Sequence, residues 1–346
     1  MAGKRVTLAD VARRAGTSTA VVSYVLNDGP RPVSAALRAK VLTALDELDY
    51  RPDRIARALR RRRRWGLIGL LVPDVTMPLF GTLAGRIELE ARGRGQLVMV
   101  GNTGYDPAVE AEFVESFADA GMDGLIVVGG ADGPTTARVC GRARVPLVWV
   151  HNNRNLTDSR IVRADHAHAG ALAARHLVLA HRCRAVAFVG GFTEEEVEFG
   201  DRETVAERYR GYESVVGARA ARPVPTDLTL AGAYRAVCGY LADNQPPDGL
   251  IAGTYGQAAA VLRAVTDAGL RVPRDIALVT FDGDARNAYA RPVLTTVRQD
   301  IDTIARQALD LLLRPGDTAA ALDDVEVHLH TGESCGCREP GLGGSR

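Results

Sequence analysis

The sequence is poor in aromatic residues, at 5% of 346, and has only five cysteines. It has no apolar run near the roughly 18 residues of a membrane-spanning helix, and its N-terminus lacks the apolar core of a secretion signal. An odd number of cysteines in a chain of this length is typical of reduced thiols and not of a disulfide framework. These absences predict a cytoplasmic protein without a membrane partner.

Common catalytic and nucleotide-binding motifs are also absent. No G-x-G-x-x-G follows a predicted strand, and neither a Walker loop nor a G-x-S-x-G elbow occurs. The grouping of His166, His168, His176 and Cys183 matches no standard zinc spacing, and HLHTGESCGC (328–337) is more simply an edge strand followed by a tail. The sequence therefore predicts no enzyme activity, no metal and no cofactor.

Charge is distributed unevenly along the chain. Residues 1–64 contain 15 Lys and Arg against 6 Asp and Glu, a net charge of +9, whereas the remainder has 28 basic and 36 acidic residues, a net charge of −8. A basic head on an acidic body predicts that the head alone meets a polyanion.

Residues 1–50 are predicted to form three short helices. Thr7 begins the first and Gly16 ends it, while Ser18 and Ser34 have the position and chemistry to cap the second and third. The second helix carries small side chains whose methyl and hydroxyl groups suit thymine methyls, base edges and phosphates. A helix-turn-helix that binds DNA is therefore favoured over an ordinary small helical bundle.

The next segment, YRPDRIARALRRRRRW (50–65), combines a short predicted helix with an arginine run. Arg57 and residues 60–64 are suited to neutralising phosphates. A helix this short is marginal alone, and a DNA minor groove that receives a leucine wedge would order it. The alternative is a solvated linker.

From Gly66 onward, short apolar runs alternate with helix-length segments such as 108–120, 169–180 and 256–268. Continuous apolar runs are expected of parallel strands buried on both faces, and their number predicts two doubly wound sheets. Ligands of such sheets bind beyond the carboxyl ends of strands, where Asp74, Asn102, His151 and Asp282 lie. The predicted strands are 67–72, 96–101, 124–130, 146–150, 185–191, 249–253 and 276–282.

This organisation resembles the LacI/GalR family of bacterial transcription regulators over nearly the whole chain, most specifically in VTLADVARRAGTS with VSYVLN, in YRPDRIARAL, and in GLRVPRDIALVTFD with RPVLTTVRQD. The resemblance implies an all-α helix-turn-helix domain (1–50), a hinge helix and linker (51–65), and a two-lobed α/β body like type I periplasmic binding proteins (66–346). Lobe one is expected at 66–162 plus 292–322, and lobe two at 163–291 plus 323–338.

Residue roles are implied by the same resemblance. Thr19, Ala20 and Tyr24 fall at base-reading positions, and Leu59 falls at the minor-groove wedge. Arg208 matches an arginine that grips effectors. The full set assigned to DNA is Thr7, Ser18, Thr19, Ala20, Ser23, Tyr24, Asn27, Arg54, Ala56, Arg57 and Leu59. The full set assigned to the effector cleft is Asp74, Phe80, Asn102, His151, Arg208, Thr254, Tyr255, Asp282 and Gln299.

The implied function is a repressor that binds a pseudo-palindromic operator in double-stranded DNA as a homodimer, or as a tetramer, and responds to a sugar or other small polar metabolite. Thr254 and Tyr255 replace an Asn-Asp pair of many relatives, and His151 and Asn152 replace an Asp-Arg pair, which argues against a simple hexose. Tyr24 replaces a frequent Arg. A regulator without small-molecule response stays open. A solute-binding protein fits the first 65 residues poorly, and a cleft enzyme would need a nucleophile–base pair or a metal cluster that the sequence does not offer.

Overall fold

The computed structural model describes residues 6–27, 33–50, 66–151, 160–198, 200–314 and 324–337. The chain divides into two compact units, a small head (Met1–Trp65) and a larger body (Gly66–Arg346). Within the described ranges, no helix is long and apolar enough to cross a membrane.

The head contains helices α1 (Leu8–Ala15), α2 (Thr19–Asn27) and α3 (Ala35–Glu47). Thr7 and Asp10 form a capping box at the start of α1, and Gly16 ends it in the left-handed conformation with φ 65°. The short turn that follows delivers the chain into α2, as the helix-turn-helix prediction requires. The apolar faces share one small core of Val11, Ala12, Ala15, Val22, Val25, Val41 and Ala44.

The first sheet of the body is parallel, with strand order β2-β1-β3-β4-β5. Its strands and helices alternate along the chain as the apolar runs predicted. The elements are β1 (Leu67–Val72), α4 (Pro78–Gly93), β2 (Leu97–Asn102), α5 (Pro107–Asp119), β3 (Gly124–Val128), α6 (Gly133–Ala143), β4 (Leu147–Val150) and β5 (Ile161–Val162).

The second sheet has the order β11-β10-β9-β8-β6-β7, and only its β10–β11 pair is antiparallel. The strands are β6 (Val186–Gly190), β7 (Arg222–Pro225), β8 (Gly249–Ala252), β9 (Ala277–Phe281), β10 (Thr295–Gln299) and β11 (Val327–His330). The helices are α7 (His166–Arg175), continued by a π-helical turn (His176–Ala180), then α8 (Arg202–Val216), α9 (Leu230–Asp243), α10 (Tyr255–Asp267) and α11 (Ile301–Leu313), with short 3-10 turns at Ala285–Tyr289 and Glu333–Cys335.

The expected boundary between the lobes was wrong for residues 292–299. β10 pairs with β9, so this segment belongs to lobe two and not to lobe one. The chain crosses back only at α11, where Ile304, Leu309 and Leu312 pack into the core that contains β1 and α4. β10 was missed because TTVRQ lacks the continuous apolar run on which the strand predictions rested.

The prediction that every apolar strand is buried on both faces was also wrong for β2. Leu97, Met99 and Val100 are 53%, 45% and 45% exposed. β2 is an edge strand with a single neighbour, β1, so the sheet covers it on one side only. An apolar strand therefore remains on the surface of lobe one.

Helices α7 and α8 cross in very close contact. A Cβ on Gly170 would lie 1.8 Å from the carbonyl oxygen of Arg208, and one on Gly211 would lie 1.8 Å from the carbonyl oxygen of Ala167. Only glycine permits this approach of two backbones. The crossing fixes Arg208 of α8 beside His166, the first residue of α7.

Candidate functional site

Helix α2 divides its side chains between the head core and the surface. Val22 and Val25 are buried, while Ser18, Thr19 and Ala20 are exposed at the start of the helix. Ser23 and Tyr24 are half-buried one turn later, and Asn27 is the last helical residue. The exposed beginning of α2 thus presents small polar and methyl groups, the geometry in which a recognition helix enters a major groove.

Two of the residues assigned to DNA have a local structural role. The Thr7 hydroxyl donates to Asp10 Oδ2 (2.6 Å), and the Thr7 backbone N–H donates to the same oxygen (2.9 Å). Ser18 Oγ accepts from the backbone N–H of Val21 (3.4 Å). Both therefore set where the helices begin. Arg54, Ala56, Arg57 and Leu59 lie outside the described residues, so their roles stay predictions.

The body has a cavity of about 250 Å³ between its lobes. Lobe one lines it from the loop after β1 and from α4, and lobe two lines it from α8 and from the carboxyl ends of its strands. Six of the nine residues assigned to the effector line this cavity: Asp74, Phe80, Arg208, Thr254, Tyr255 and Asp282. Tyr105, Asp201, Asp227 and Thr229 also line it and were missed, because no apolar run ends directly at them.

A buried ion pair forms the lobe-two side of the cavity. Arg208 Nη2 donates to Asp282 Oδ2 (2.5 Å), and the two side chains are 3% and 5% exposed. Arg208 Nη1 also donates to the carbonyl oxygen of Gly253 (3.0 Å), and the guanidinium lies 4.3 Å above the ring centre of Phe281. Gln299 Nε2 donates to the other carboxylate oxygen of Asp282 (2.9 Å). Gln299 therefore holds Asp282 in place without lining the cavity itself.

A second charged contact joins the two lobes. His151 follows β4 of lobe one, and its Nε2 lies 2.5 Å from Oδ2 of Asp201, the residue that precedes α8 in lobe two. Burial lowers the pKa of His151, but the carboxylate of Asp201 outweighs burial and raises it overall. Burial likewise raises the pKa of Asp201, and His151 reverses the effect, so that this pKa is lowered. Both shifts favour an imidazolium–carboxylate pair across the cleft.

His151 lines a smaller cavity of about 90 Å³, together with Tyr105 and Asp201. Its ring packs edge-on against Phe80 and His166, with ring centres 5.8 and 5.0 Å away. Burial and the charge of Arg208 hold the pKa of His166 well below its usual range, so His166 is neutral. Burial, Asp201 and Asp74 raise the pKa of Tyr105 well above its usual value, so its hydroxyl remains a donor.

Several buried polar atoms around the cleft lack a protein partner. Within the described ranges, no hydrogen-bond partner is found for Tyr105 Oη, His151 Nδ1, His166 Nε2 or Arg208 Nε. Leaving such groups unpaired costs about 1–3 kcal/mol each. Of the four residues, Tyr105 and Arg208 line the larger cavity and His151 lines the smaller one.

The remaining assigned residues shape the cleft without lining the larger cavity. Asn102 Oδ1 accepts from the backbone N–H of Val75 (3.0 Å) and holds the loop after β1. Thr254, which does line the cavity, also caps α10 through the backbone N–H of Gln257 (3.3 Å). Asn152 lies outside the described residues.

A cluster of histidine and cysteine side chains lies in lobe two, away from the cleft. His176 and His181, at the end of α7, meet Cys335 and Cys337, and one ligand atom of each lies within 4.8 Å of all the others. The predicted grouping of His176 with His166, and the predicted placement of Cys335 and Cys337 in a tail, are therefore wrong. Lobe-two folding joins the two segments instead, because the chain after β11 returns to α7.

Two family models match the chain. Residues 7–53 match the bacterial regulatory proteins of the lacI family, and residues 174–335 match a periplasmic binding protein-like domain.

Full-length relatives and a solved structure agree with these matches. The HTH-type transcriptional regulator reg1 of Streptomyces lividans is 31% identical over 88% of this chain and 89% of that protein. Catabolite control protein A of Priestia megaterium is 28% identical over 89% of this chain and 92% of that protein. The lac repressor dimer bound to operator and the anti-inducer ONPF superposes with a TM-score of 0.81 at 25% identity, covering 96% of this chain and 99% of that chain. The similarity spans the helix-turn-helix head and both lobes, and this protein is therefore a member of the LacI family of bacterial transcriptional regulators.

Proposed function

We propose that the protein is a homodimeric repressor that binds a pseudo-palindromic operator and is controlled by a small polar metabolite in the interlobe cleft. The observation that carries the proposal is the exposed small-residue beginning of α2 on a head with a net charge of +9. The lac repressor of the solved complex is a dimer bound to operator, which supports the same assembly here. The protein then acts in the cytoplasm, at the nucleoid.

In this proposal α2 enters a major-groove half-site. The arginines of residues 51–65 contact the DNA phosphates, and Leu59 enters the minor groove. Thr19→Ala removes an exposed hydroxyl and methyl from the groove-facing end of α2. We expect it to lower operator affinity by about 1–3 kcal/mol, the usual discrimination at one base pair. Non-specific DNA affinity should change much less.

The matched control is Thr43→Ala, which removes the same groups from an exposed position of α3. Fluorescence anisotropy with a selected operator and with unrelated DNA separates the two effects. Equal operator affinity for Thr19→Ala and Thr43→Ala would contradict the placement of α2 in the groove.

The exposed apolar surface of lobe one supports the dimer. Leu97, Met99 and Val100 of β2 and Leu89 of α4 are 45–53% exposed. Exposed apolar side chains on neighbouring elements of one lobe are typical of an interaction site, and a two-fold dimer uses the same surface on both subunits. Met99→Lys should raise the dimer dissociation constant at least about tenfold, equivalent to about 1.4 kcal/mol.

Sedimentation velocity over a concentration series measures that change. Leu230→Lys on α9 is the matched control, since Leu230 is 59% exposed on lobe two. Dissociation by Leu230→Lys and not by Met99→Lys would move the interface to lobe two.

The charges around the cavity favour a neutral or cationic effector. Asp282 is neutralised by Arg208, and Asp201 is paired with His151. Asp74 and Asp227 add negative charge to the lining, which Arg235 Nη2 offsets in part at 3.6 Å from Asp227, so a strongly anionic ligand would meet repulsion. Apolar side chains, among them Phe80 and Leu228, provide a face for the ligand's carbon skeleton. We therefore propose polyols, glycosides or amines as the effector class.

Control of DNA binding would come from a shift between lobe arrangements. A ligand changes operator affinity only as far as it prefers one arrangement over the other. The His151–Asp201 pair exists only where the lobes approach, so a ligand that strengthens or breaks it biases the arrangement. Thermal-shift screening of neutral, cationic and anionic metabolites, followed by operator binding with each hit, tests this step.

A regulator without small-molecule response is the second candidate. It is favoured by the Arg208–Asp282 pair, in which two assigned effector contacts already satisfy each other. A broad metabolite panel that changes neither the melting temperature nor operator affinity would select this candidate. A hit that changes both would reject it.

A further inference from the structure

The cluster of His176, His181, Cys335 and Cys337 has the dimensions of a four-ligand metal site. His181 Nε2 lies 3.1 Å from His176 Nε2 and 3.4 Å from Cys337 Sγ, and His176 Nε2 lies 3.2 and 3.8 Å from the sulfurs of Cys335 and Cys337. In tetrahedral zinc coordination, Zn–S of about 2.3 Å and Zn–N of about 2.0–2.1 Å place nitrogens about 3.3 Å apart and nitrogen–sulfur pairs about 3.6 Å apart. The four measured separations lie within about 0.4 Å of these values, and no two of the four ligand atoms are more than 4.8 Å apart.

The π-helical turn explains why the two histidines face the same point. Residues five apart in an α-helix project about 140° apart around the axis. After α7, the backbone N–H of His181 instead donates to the carbonyl oxygen of His176 (3.3 Å), the i→i+5 bond of a π-turn. The wider turn brings the His181 ring edge-on to the His176 ring, with ring centres 4.7 Å apart. π-turns of this kind are frequently found at functional sites.

The two cysteines are aimed by the chain between them. Gly336 has φ 94°, and its N–H donates to the carbonyl oxygen of Glu333 (2.9 Å). This left-handed turn allows Cys335 and Cys337, two residues apart, to point toward the same histidines. Thr295 Oγ1 also donates to Cys335 Sγ (2.9 Å), the hydrogen bond expected behind a ligating thiolate.

We propose that His176, His181, Cys335 and Cys337 bind one zinc ion per protomer. Two imidazoles and two thiolates in a tetrahedral arrangement select Zn²⁺ among the common cellular metals. A cation supplies the charge that two adjacent thiolates and two facing imidazole nitrogens need.

The site is structural in kind, because all four positions are taken by protein atoms and none is left for water or substrate. It joins the segment that follows β11 to the end of α7. The same helix begins at His166 in the effector cleft, so the metal fixes the far end of a cleft-forming helix. This role is independent of the proposed effector and of DNA binding.

The first test uses the wild-type full-length chain, purified without chelator under reducing conditions. Elemental analysis should give one zinc per protomer. After removal of the zinc by a chelator, titration with Co²⁺ should produce the visible absorption of tetrahedral, thiolate-ligated cobalt, saturating at one equivalent and reversed by Zn²⁺. A chain that takes up neither ion would overturn the proposal, whatever the behaviour of any variant.

The second test compares Cys337→Ser with Cys238→Ser, which changes another partly exposed cysteine of lobe two. Cys337→Ser should lose stoichiometric zinc and the cobalt spectrum, and chelator should no longer lower its melting temperature. Cys238→Ser should retain all three properties. Unchanged zinc content in Cys337→Ser would also overturn the assignment.

Discussion

Arg208→Met is expected to destabilise the body, because it leaves the Asp282 carboxylate buried without a counter-ion. Removing one partner of a buried ion pair costs about 3–5 kcal/mol. Arg208 also loses its hydrogen bond to Gly253 and its contact with Phe281. At about 2–4 °C per kcal/mol for domains of 150–250 residues, the melting temperature of the body should fall by about 6–20 °C.

A double variant separates the charge from the packing. Arg208→Met combined with Asp282→Asn removes both charges, and asparagine tolerates the φ of 56° at position 282. It also keeps an oxygen for Gln299. We expect the double variant to recover at least about half of the loss, since no buried charge remains unpaired.

Thermal unfolding of the wild type, both single variants and the double variant completes the cycle, with operator affinity measured on each. A purely ligand-binding arginine, as the sequence suggested, would leave the melting temperature unchanged. Equal losses in Arg208→Met and in the double variant would show that packing, and not the ion pair, carries the effect.

Three further predictions concern the helix crossing, the interlobe contact and the head. Gly170→Ala should destabilise the body by about 3 kcal/mol or more, because its Cβ meets a backbone oxygen. The control Gly239→Ala, whose Cβ would have nothing within 4 Å, should be neutral or stabilising. Equal melting temperatures of the two variants would refute the close crossing. The His151–Asp201 pair should stabilise the body fully between about pH 4 and about pH 6.5, the ordinary pKa values of aspartate and histidine. Because the pKa of His151 is raised in the folded protein, this stabilisation is lost as the pH rises through that raised pKa. His151→Asn should abolish this loss when the melting temperature is measured as a function of pH. An unchanged profile would mean that other groups cause the pH dependence. Thr7→Ala should cost the head about 1 kcal/mol in denaturant unfolding, because it removes the cap of α1, and no loss would contradict the capping box.

The fold was largely predictable because its signals are local. Continuous apolar runs identified β1, β2, β3, β4, β6, β8 and β9, and residues just beyond strand ends, such as Asp74 and Asp282, line the cleft. β7 and β10 were missed because RPVP and TTVRQ owe their pairing to neighbouring strands and not to their own composition.

The parts that sequence did not predict depend on contacts between distant segments. Asp201 meets His151 only across the two lobes, and Tyr105 enters the cleft from a loop that no apolar run marks. The cysteine–histidine cluster required a π-turn in one segment and a left-handed glycine in another. A C-x-C pair together with H-x4-H was visible in the sequence, but nothing in either motif indicated the other.

We propose that this LacI-family head recognises one DNA sequence as a two-fold dimer. The most direct measurement is retention of fragmented genomic DNA by the purified full-length protein at moderate salt, with sequencing of the retained fragments. We expect one enriched pseudo-palindrome whose half-sites are spaced as two copies of α2 require. In Thr19→Ala, the preference for the base that Thr19 contacts should be lost. Uniform retention that disappears as salt rises would mean non-specific phosphate binding by a basic head and would contradict the account.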